Sequence, residues 1–325
     1  MARVNRFHFP ASAGDLIGAH ISTKGGLHTA FERAAEIRAS AMAIFAKNSN
    51  QWKGKVLSDD DCALFHGKRS VQPVLTHASY LINLATTNRL FHQKSIAAMI
   101  DELDRAERLD IHAVVLHPGA HMGAGAHAGI DQIARSLDQI HRSIPHHRVV
   151  TLLETSAGQG SCLGCSFEEL GRIRSLVDDK QRIGICIDTC HVFAAGHDIR
   201  TRDGYDQMMG EVERHVGIEN VGAFHLNDSK KPLGSRVDRH QHIGKGEIGT
   251  DAFGFFLNDP RFARIPKLIE TPKNPDNSWD VENITRLRAL RVSFRAAETA
   301  RNPPPASFEG DPSLSSQLGM TQQSR

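Results

Sequence analysis

No run in this 325-residue chain approaches the roughly 18 consecutive apolar residues that a membrane-spanning helix needs, which argues against a membrane protein. The opening stretch M-A-R-V-N-R-F-H-F-P-A-S-A-G lacks the apolar core of a secretory signal, so export is not expected. Cysteine is sparse, and its count of five is odd. That fits free thiols in a reducing compartment better than a disulfide framework, and a cytoplasmic location is the expectation. An excess of either charge is missing as well, since 39 basic and 37 acidic residues leave +2. Such a balance neither demands nor excludes nucleic acid, because a local basic track can exist on a near-neutral protein. No G-x-G-x-x-G turn follows the first strand pattern, and no P-loop, Ser-His-Asp order or nucleophilic-cysteine signature stands in adequate context.

What is present is a chain 40% hydrophobic, long enough to bury a sizeable core, with 19 histidines as its one compositional oddity. Residues 1–14 carry no periodicity and read as a loose arm. Asp15–His20, Met42–Ala46, Val71–His77, Ile111–His117, Val149–Glu154, the start of Ile183–Asp198, Val221–Leu226 and Lys267–Glu270 read as eight strands. Helical patterns alternate with them. One runs through Leu27, Ala30, Phe31, Ala34 and Ile37, one opens at Ser58 with three aspartates, and one buries Ile96, Met99, Ile100 and Leu103. Others cover Gly129–His141, a capping-box opening at Ser166–Glu169, Tyr205–Val216, Ala252–Leu257 and Val281–Ala297. From about residue 300 the composition turns to Pro, Ser, Gly and Gln, and 300–325 reads as a disordered tail.

This alternation over residues 15–299 has the size and rhythm of a single-domain α/β protein, a (β/α)₈ TIM barrel. A doubly wound open sheet is the rival. Against it, polar residues stand at the ends of nearly every strand rather than at one switch point.

In a barrel those strand ends converge on the C-terminal mouth. They carry His77, His117, Glu154, Asp188 with His191, His225 and Glu270, and the loop after the seventh strand adds Asp238-x-His240. Each has a bland alternative, since a lone strand-end histidine is more often a satisfied structural residue than a ligand. Nine together are not independent accidents. Carboxylates packed this closely repel unless cations neutralise them, and imidazole with carboxylate suits zinc, with manganese second. Nine ligands are enough for two or three ions. Two ions about 4 Å apart activate a water and stabilise a leaving oxygen, which points to hydrolysis of a phosphate ester. Cys162-L-G-Cys165 has zinc-knuckle spacing, and Cys186 and Cys190 follow. However, Cys186 alternates with Ile185 and Ile187 like a small core residue, so a four-cysteine site is not expected.

In order along the chain, H-I-S-T-K-G-G, K-N-S-N-Q-W, H-A-S-Y-L-I-N, L-H-P-G, L-L-E-T-S-A-G-Q-G, I-D-T-C-H-V-F-A-A-G-H-D, H-L-N-D-S-K, D-R-H-Q-H-I-G and L-I-E-T-P resemble the endonuclease IV family of apurinic/apyrimidinic endonucleases. The resemblance runs from about Ile17 to Leu290. It implies a barrel with three zinc ions that cuts duplex DNA 5′ to an abasic site and leaves a 3′-hydroxyl, with trimming of blocked 3′ ends as a second activity. Residue by residue, it implies His77 and His117 on one zinc, with Glu154 bridging to a second. Asp188, His225 and Glu270 complete the second, and His191, Asp238 and His240 hold the third, with manganese an alternative at one site. Glu154 and Glu270 are the expected catalytic carboxylates. His20 is expected near the mouth without being a ligand, and His242 as an orienting or surface residue.

For DNA, the resemblance points to the loops after the second and third strands, with Asn48, Gln51, Tyr80 and Leu81 as contacts, and to Lys230 among the cations Lys231, Arg236, Arg239 and Lys245. The chain departs from the family where Asn50 replaces an arginine and His197 a tyrosine. A monomer with no membrane partner is expected. Two alternatives differ in class: a metal-dependent sugar isomerase or epimerase, which needs only two ions, and a zinc protein that binds damaged DNA without cutting.

Overall fold

Strand segments buried on both faces have to be covered by helices on the outside and by one another within, and this chain does so by closing a barrel. The computed structural model describes residues 5–7, 9 and 15–301, the backbone alone being described for 292–301. Eight parallel strands form the barrel: β1 (Ile17–His20), β2 (Ala41–Ile44), β3 (Val74–His77), β4 (Ala113–Leu116), β5 (Val150–Glu154), β6 (Ile183–Asp188), β7 (Val221–His225) and, after a short ribbon, β10 (Lys267–Ile269). Sequential strands are neighbours, and β10 pairs with both β7 and β1 to close the ring. Gly18 is required at the β1–β2 seam, where a Cβ would lie 1.6 Å from the Ala41 carbonyl oxygen.

The outer layer is α1 (Thr29–Glu36), α2 (Asp59–Gly67), α3 (Arg89–Arg108), α4 (Ala126–Ser143), α5 (Phe167–Leu176), α6 (Thr189–Ala195), α7 (Arg202–His215), α8 (Thr250–Asn258) and α9 (Ser278–Arg301). In α4 the helical period turns Ile130, Ile133, Leu137 and Ile140 onto the barrel. Ser58 begins α2 with a reciprocal capping box to Asp61. At α5 only half of the expected box forms. Ser166 accepts from the Glu169 N–H, while the Glu169 carboxylate turns back to the N–H groups of Gly164 and Cys165.

Two features differ from the sequence reading. The D-T-C-H segment is the first turn of α6, and Asp188 itself caps it by accepting from the His191 N–H at 2.9 Å. The loop after β7 folds into an antiparallel ribbon, β8 (Asp228–Ser229) with β9 (His240–Gln241).

Of the residues expected to form a loose arm, Asn5–Phe7 and Phe9 are described, and they pack under the barrel. The Phe7 ring lies against Gly184 and Gly222, stacks on Phe9 at 5.7 Å, and is followed by a contact of Phe9 with His112. Asn5 donates to the Val221 carbonyl at 2.8 Å, and Arg6 to the carbonyls of Gln181 and Ile183. Residues 302–325 of the expected tail, and the rest of the arm, lie outside the described residues. Among the described residues, no helix is long and apolar enough to cross a membrane.

Candidate metal centre

The strand ends, α6 and the loop after β7 bring all nine expected residues to one mouth, where three groups account for them, each with its ligand atoms within 4.8 Å of one another, and two more add Cys186 to Glu154 and His225, and Cys190 to Asp188 and His240. His77, His117 and Glu154 form the first group. Glu154, Asp188, His225 and Glu270 form the second, and His191, Asp238 and His240 the third. Glu154 belongs to two of them. Its Oε2 lies 3.1 Å from His77 Nε2 and 3.5 Å from His117 Nε2, and its Oε1 lies 2.7 Å from His225 Nδ1. Asp188 and His191, three residues apart, fall in different groups.

Backbone carbonyls orient the imidazoles. Nδ1 of His77 faces the Ala78 carbonyl at 2.8 Å, Nδ1 of His191 the Thr155 carbonyl at 2.7 Å, and Nδ1 of His240 the Glu270 carbonyl at 3.2 Å. A carbonyl only accepts, so each Nδ1 carries a proton and Nε2 is left facing the cluster, where it would give its lone pair to a cation. Nε2 of both His191 and His240 is buried and lies 3.2 Å from an Asp238 oxygen, yet neither is aligned for a hydrogen bond. Unpartnered buried nitrogens converging with a carboxylate on one point are costly without a shared cation. Neutral nitrogen with carboxylate oxygen is a donor set that suits zinc. The residues therefore fit a metal ion.

The charges agree. Burial alone would raise the carboxyls of Glu154 and Glu270, but the His225 imidazole beside both outweighs it and holds them well below the usual range. Burial would lower His191 and His240, but Asp188 and Asp238 outweigh it and push them up to about 10 and about 9. Burial keeps His117 down at about 4 and pushes Asp188 up. At the third group the carboxylates draw positive charge, which protons on His191 and His240 supply where no cation stands.

Two asparagine-aspartate neighbours, not anticipated from the sequence, hold the centre together. Asn227 is fully buried, donates from Nδ2 to Asp188 Oδ2 at 2.6 Å and accepts at Oδ1 from the Glu270 N–H at 2.7 Å. Asp228, also fully buried, accepts from the N–H groups of Ser229, Gly244, Gly246 and Ile248 and so folds the loop that carries Asp238 and His240. The only sequence signal was their place directly after β7. His20 donates from Nδ1 to Glu270 Oε1 at 3.1 Å and packs on Phe45. His242 packs edge-on against Trp279.

Of the expected DNA contacts, Asn48, Gln51 and Lys230 are exposed and Leu81 is half-buried. Tyr80 is 56% exposed rather than in the core, with its ring 5.5 Å from His77 and 6.0 Å from His117. The two loops are tied together. Ser79 Oγ donates to the Ser49 carbonyl at 2.6 Å, and the Ser79 N–H donates to Glu102 in α3. Buried Lys47 joins Asp101 at 2.8 Å and Glu102 at 3.5 Å beneath them. Asn48 spends its side-chain oxygen on the Asn50 N–H, closing the loop on itself. A cavity of about 930 Å³ opens beside Glu270, Asn48, Ser49 and Tyr80. His197 does not line the mouth. It packs on Phe167 and lines a separate cavity with α7 residues. The five cysteines are free, and no group of four forms among the described residues.

Comparison with known proteins agrees with this geometry. Residues 31–290 match the family described as xylose isomerase-like TIM barrel. A protein named probable endonuclease 4 from Chloroflexus aggregans is 48% identical over 276 residues, 84% of this chain and 96% of that protein. Its namesake from Geobacter sulfurreducens is 41% identical over 295 residues, 90% of this chain and 99% of the other. This chain belongs to the endonuclease IV family. The crystal structure of endonuclease IV from Thermus thermophilus superposes with a TM-score of 0.75 at 33% identity, covering 87% of this chain and all of that one. A D-tagatose 3-epimerase-like protein, at 20% identity and a TM-score of 0.67, shares the fold alone. The third group draws His191 from α6, His240 from β9 and Asp238 from the loop between β8 and β9.

Proposed function

We propose that the protein is a monomeric cytoplasmic DNA-repair hydrolase. It cuts the phosphodiester bond on the 5′ side of abasic sites in duplex DNA, leaves a 3′-hydroxyl, and trims blocked 3′ ends. The single observation that carries this reading is the His191–Asp238–His240 group standing beside the pair of groups that share Glu154. Three zinc ions, with manganese tolerated at one position, would be held by the three groups.

Bound zinc would supply an activated water near neutral pH and positive charge for the leaving oxygen. The chain's own residues do the rest. Glu154 places one carboxylate oxygen toward each of two groups, and Glu270 is set against His225 and His20. Asn227 fixes Asp188 relative to Glu270, so the second group cannot relax when DNA binds. Tyr80, half out of the surface over His77 and His117, is placed to meet the lesion, flanked by Leu81, Asn48 and Gln51. With Asn50 in place of an arginine, Gln51 and Tyr80 carry the burden of filling the stack.

The test is incision of a duplex containing one reduced abasic site. A reduced site cannot undergo β-elimination, so cutting by metal-loaded protein, lost on chelation and regained on adding zinc, supports hydrolysis. Failure of fully loaded protein to cut overturns the proposal.

A further inference from the structure

Next to the lesion loop lies a surface that the expected DNA contacts do not include. Trp52 follows Gln51, and its ring meets Phe91 of α3 at 6.4 Å. The Lys94 ammonium sits over both rings, 6.0 Å from Trp52 and 5.7 Å from Phe91. Around them Phe91 is 48% and Leu90 59% exposed, large apolar side chains left in water at a helix start. Lys53, Arg89 and Lys94 are exposed, and none has an ion-pair partner among the described residues. Lys55 differs, lying toward Asp61 at the acidic start of α2. The first turn of the 20-residue α3 contains no acidic residue, and its N-terminus is capped by the neutral Asn88 amide, which accepts from the Leu90 and Phe91 N–H groups.

We propose that this patch, Trp52, Phe91, Leu90, Lys53, Arg89 and Lys94, is a second DNA-docking surface that grips the duplex flanking the lesion. Cations without ion-pair partners beside exposed Phe91 and half-buried Trp52 complement a phosphate backbone and its deoxyriboses. The patch is also continuous with the loop that carries Asn48 and Gln51. The inference rests on the reading of the mouth as a DNA site and extends it outward along α3. Its cations meet phosphates, and its rings lie against the sugars between them.

Salt dependence tests it, because each phosphate neutralised contributes about 0.9 to the slope of log affinity against log salt. Binding is followed by fluorescence anisotropy across a potassium chloride series, with one undamaged and one abasic duplex. In the combined variant Lys53→Ala, Arg89→Ala, Lys94→Ala, the slope becomes shallower by about two to three units, with weaker binding to both duplexes at low salt. Phe91→Ala weakens binding while leaving the slope in place. Arg214→Ala, on the exposed end of α7, is the control and leaves the slope unchanged. All three cations are exposed, so the variant retains its fold, which a thermal melt verifies. A slope equal to the parent's overturns the patch. If the parent fails to cut the abasic duplex but the slope still falls in the variant, the hydrolase reading is lost and the docking surface stands.

Discussion

Asn227 Nδ2 donates to Asp188 Oδ2 at 2.6 Å, and this one bond decides where the second metal group stands. The same amide accepts from the Glu270 N–H, so β6, β7 and β10 are locked at their carboxyl ends by a single side chain. Partners of this kind tune metal ligands nearly as strongly as the ligands themselves. Asn227→Ala is expected to lower activity or metal affinity by about 10–100-fold. Asn227→Asp should do worse, since it sets a second negative charge against Asp188. Elemental analysis after dialysis against a weak chelator reads the metal loss directly, and full metal retention in both variants would refute the role.

Asp228 offers a separable prediction. Four backbone N–H groups converge on its carboxylate, and an amide can satisfy only part of them. Asp228→Asn should cost about 1–3 kcal/mol of stability. Because the loop it organises carries Asp238 and His240, the loss of metal should fall on the third group first. The expected stoichiometry, read by elemental analysis, is one ion per chain fewer than in the parent.

Much of this was legible in the sequence, and the exceptions have physical reasons. The strands leading to His77, His117, Glu154, Asp188, His225 and Glu270 could be read because one apolar run after another gives way to His, Asp or Glu, a repetition that a single structural histidine does not produce. The β8–β9 ribbon could not, since two-residue strands have no period to detect. Helix α6 was hidden because its seven residues are too few to show a helical period, and Asp188 serves two roles, as cap and as cluster member. Phe7 and Phe9 lay in a segment without periodicity, and only the ring-sized gap at Gly184 and Gly222 gives them a place. Asn227 and Asp228 were invisible because their partners are mostly backbone groups of distant segments. His197 stands in place of the family's tyrosine, and its ring turns toward Phe167, away from the mouth.

The loops meant for DNA depend on a buried charge. Lys47 is held by Asp101, Glu102 and the Ala98 carbonyl, with only 1% of its side chain exposed. Without Lys47, Asp101 keeps Arg105 but buried Glu102 loses its cation, and breaking such a buried pair costs about 3–5 kcal/mol. Lys47→Met should therefore lower the melting temperature and raise KM for abasic duplex. Turnover of a small phosphodiester that never touches the loops should change little. Equal losses on both substrates would place the damage in the metal centre instead.

Lys267 makes stability depend on pH. It is almost fully buried, donates to the Phe262 and Ile265 carbonyls, and burial, with Arg291 adding, pushes its pKa from 10.5 down to about 7. The folded value lies below the unfolded one, so between about pH 7 and 10 the unfolded chain holds a proton that the folded chain has released. Stability attributable to this group therefore rises with pH across that window. Below pH 7 the full penalty stands, on the order of 5 kcal/mol. The stability difference between Lys267→Met and the parent, from denaturant melts, should be largest near pH 6 and shrink toward pH 10. A difference independent of pH would contradict it.

The central claim is that the three groups hydrolyse a phosphodiester at an abasic site. Its most direct test is incision in water enriched in oxygen-18, followed by mass spectrometry of both strand ends. The account predicts a 3′-hydroxyl on one fragment and a single heavy oxygen on the 5′-phosphate of the other, with no product after chelation. An unsaturated sugar at the 3′ end and no heavy oxygen on the phosphate would contradict it.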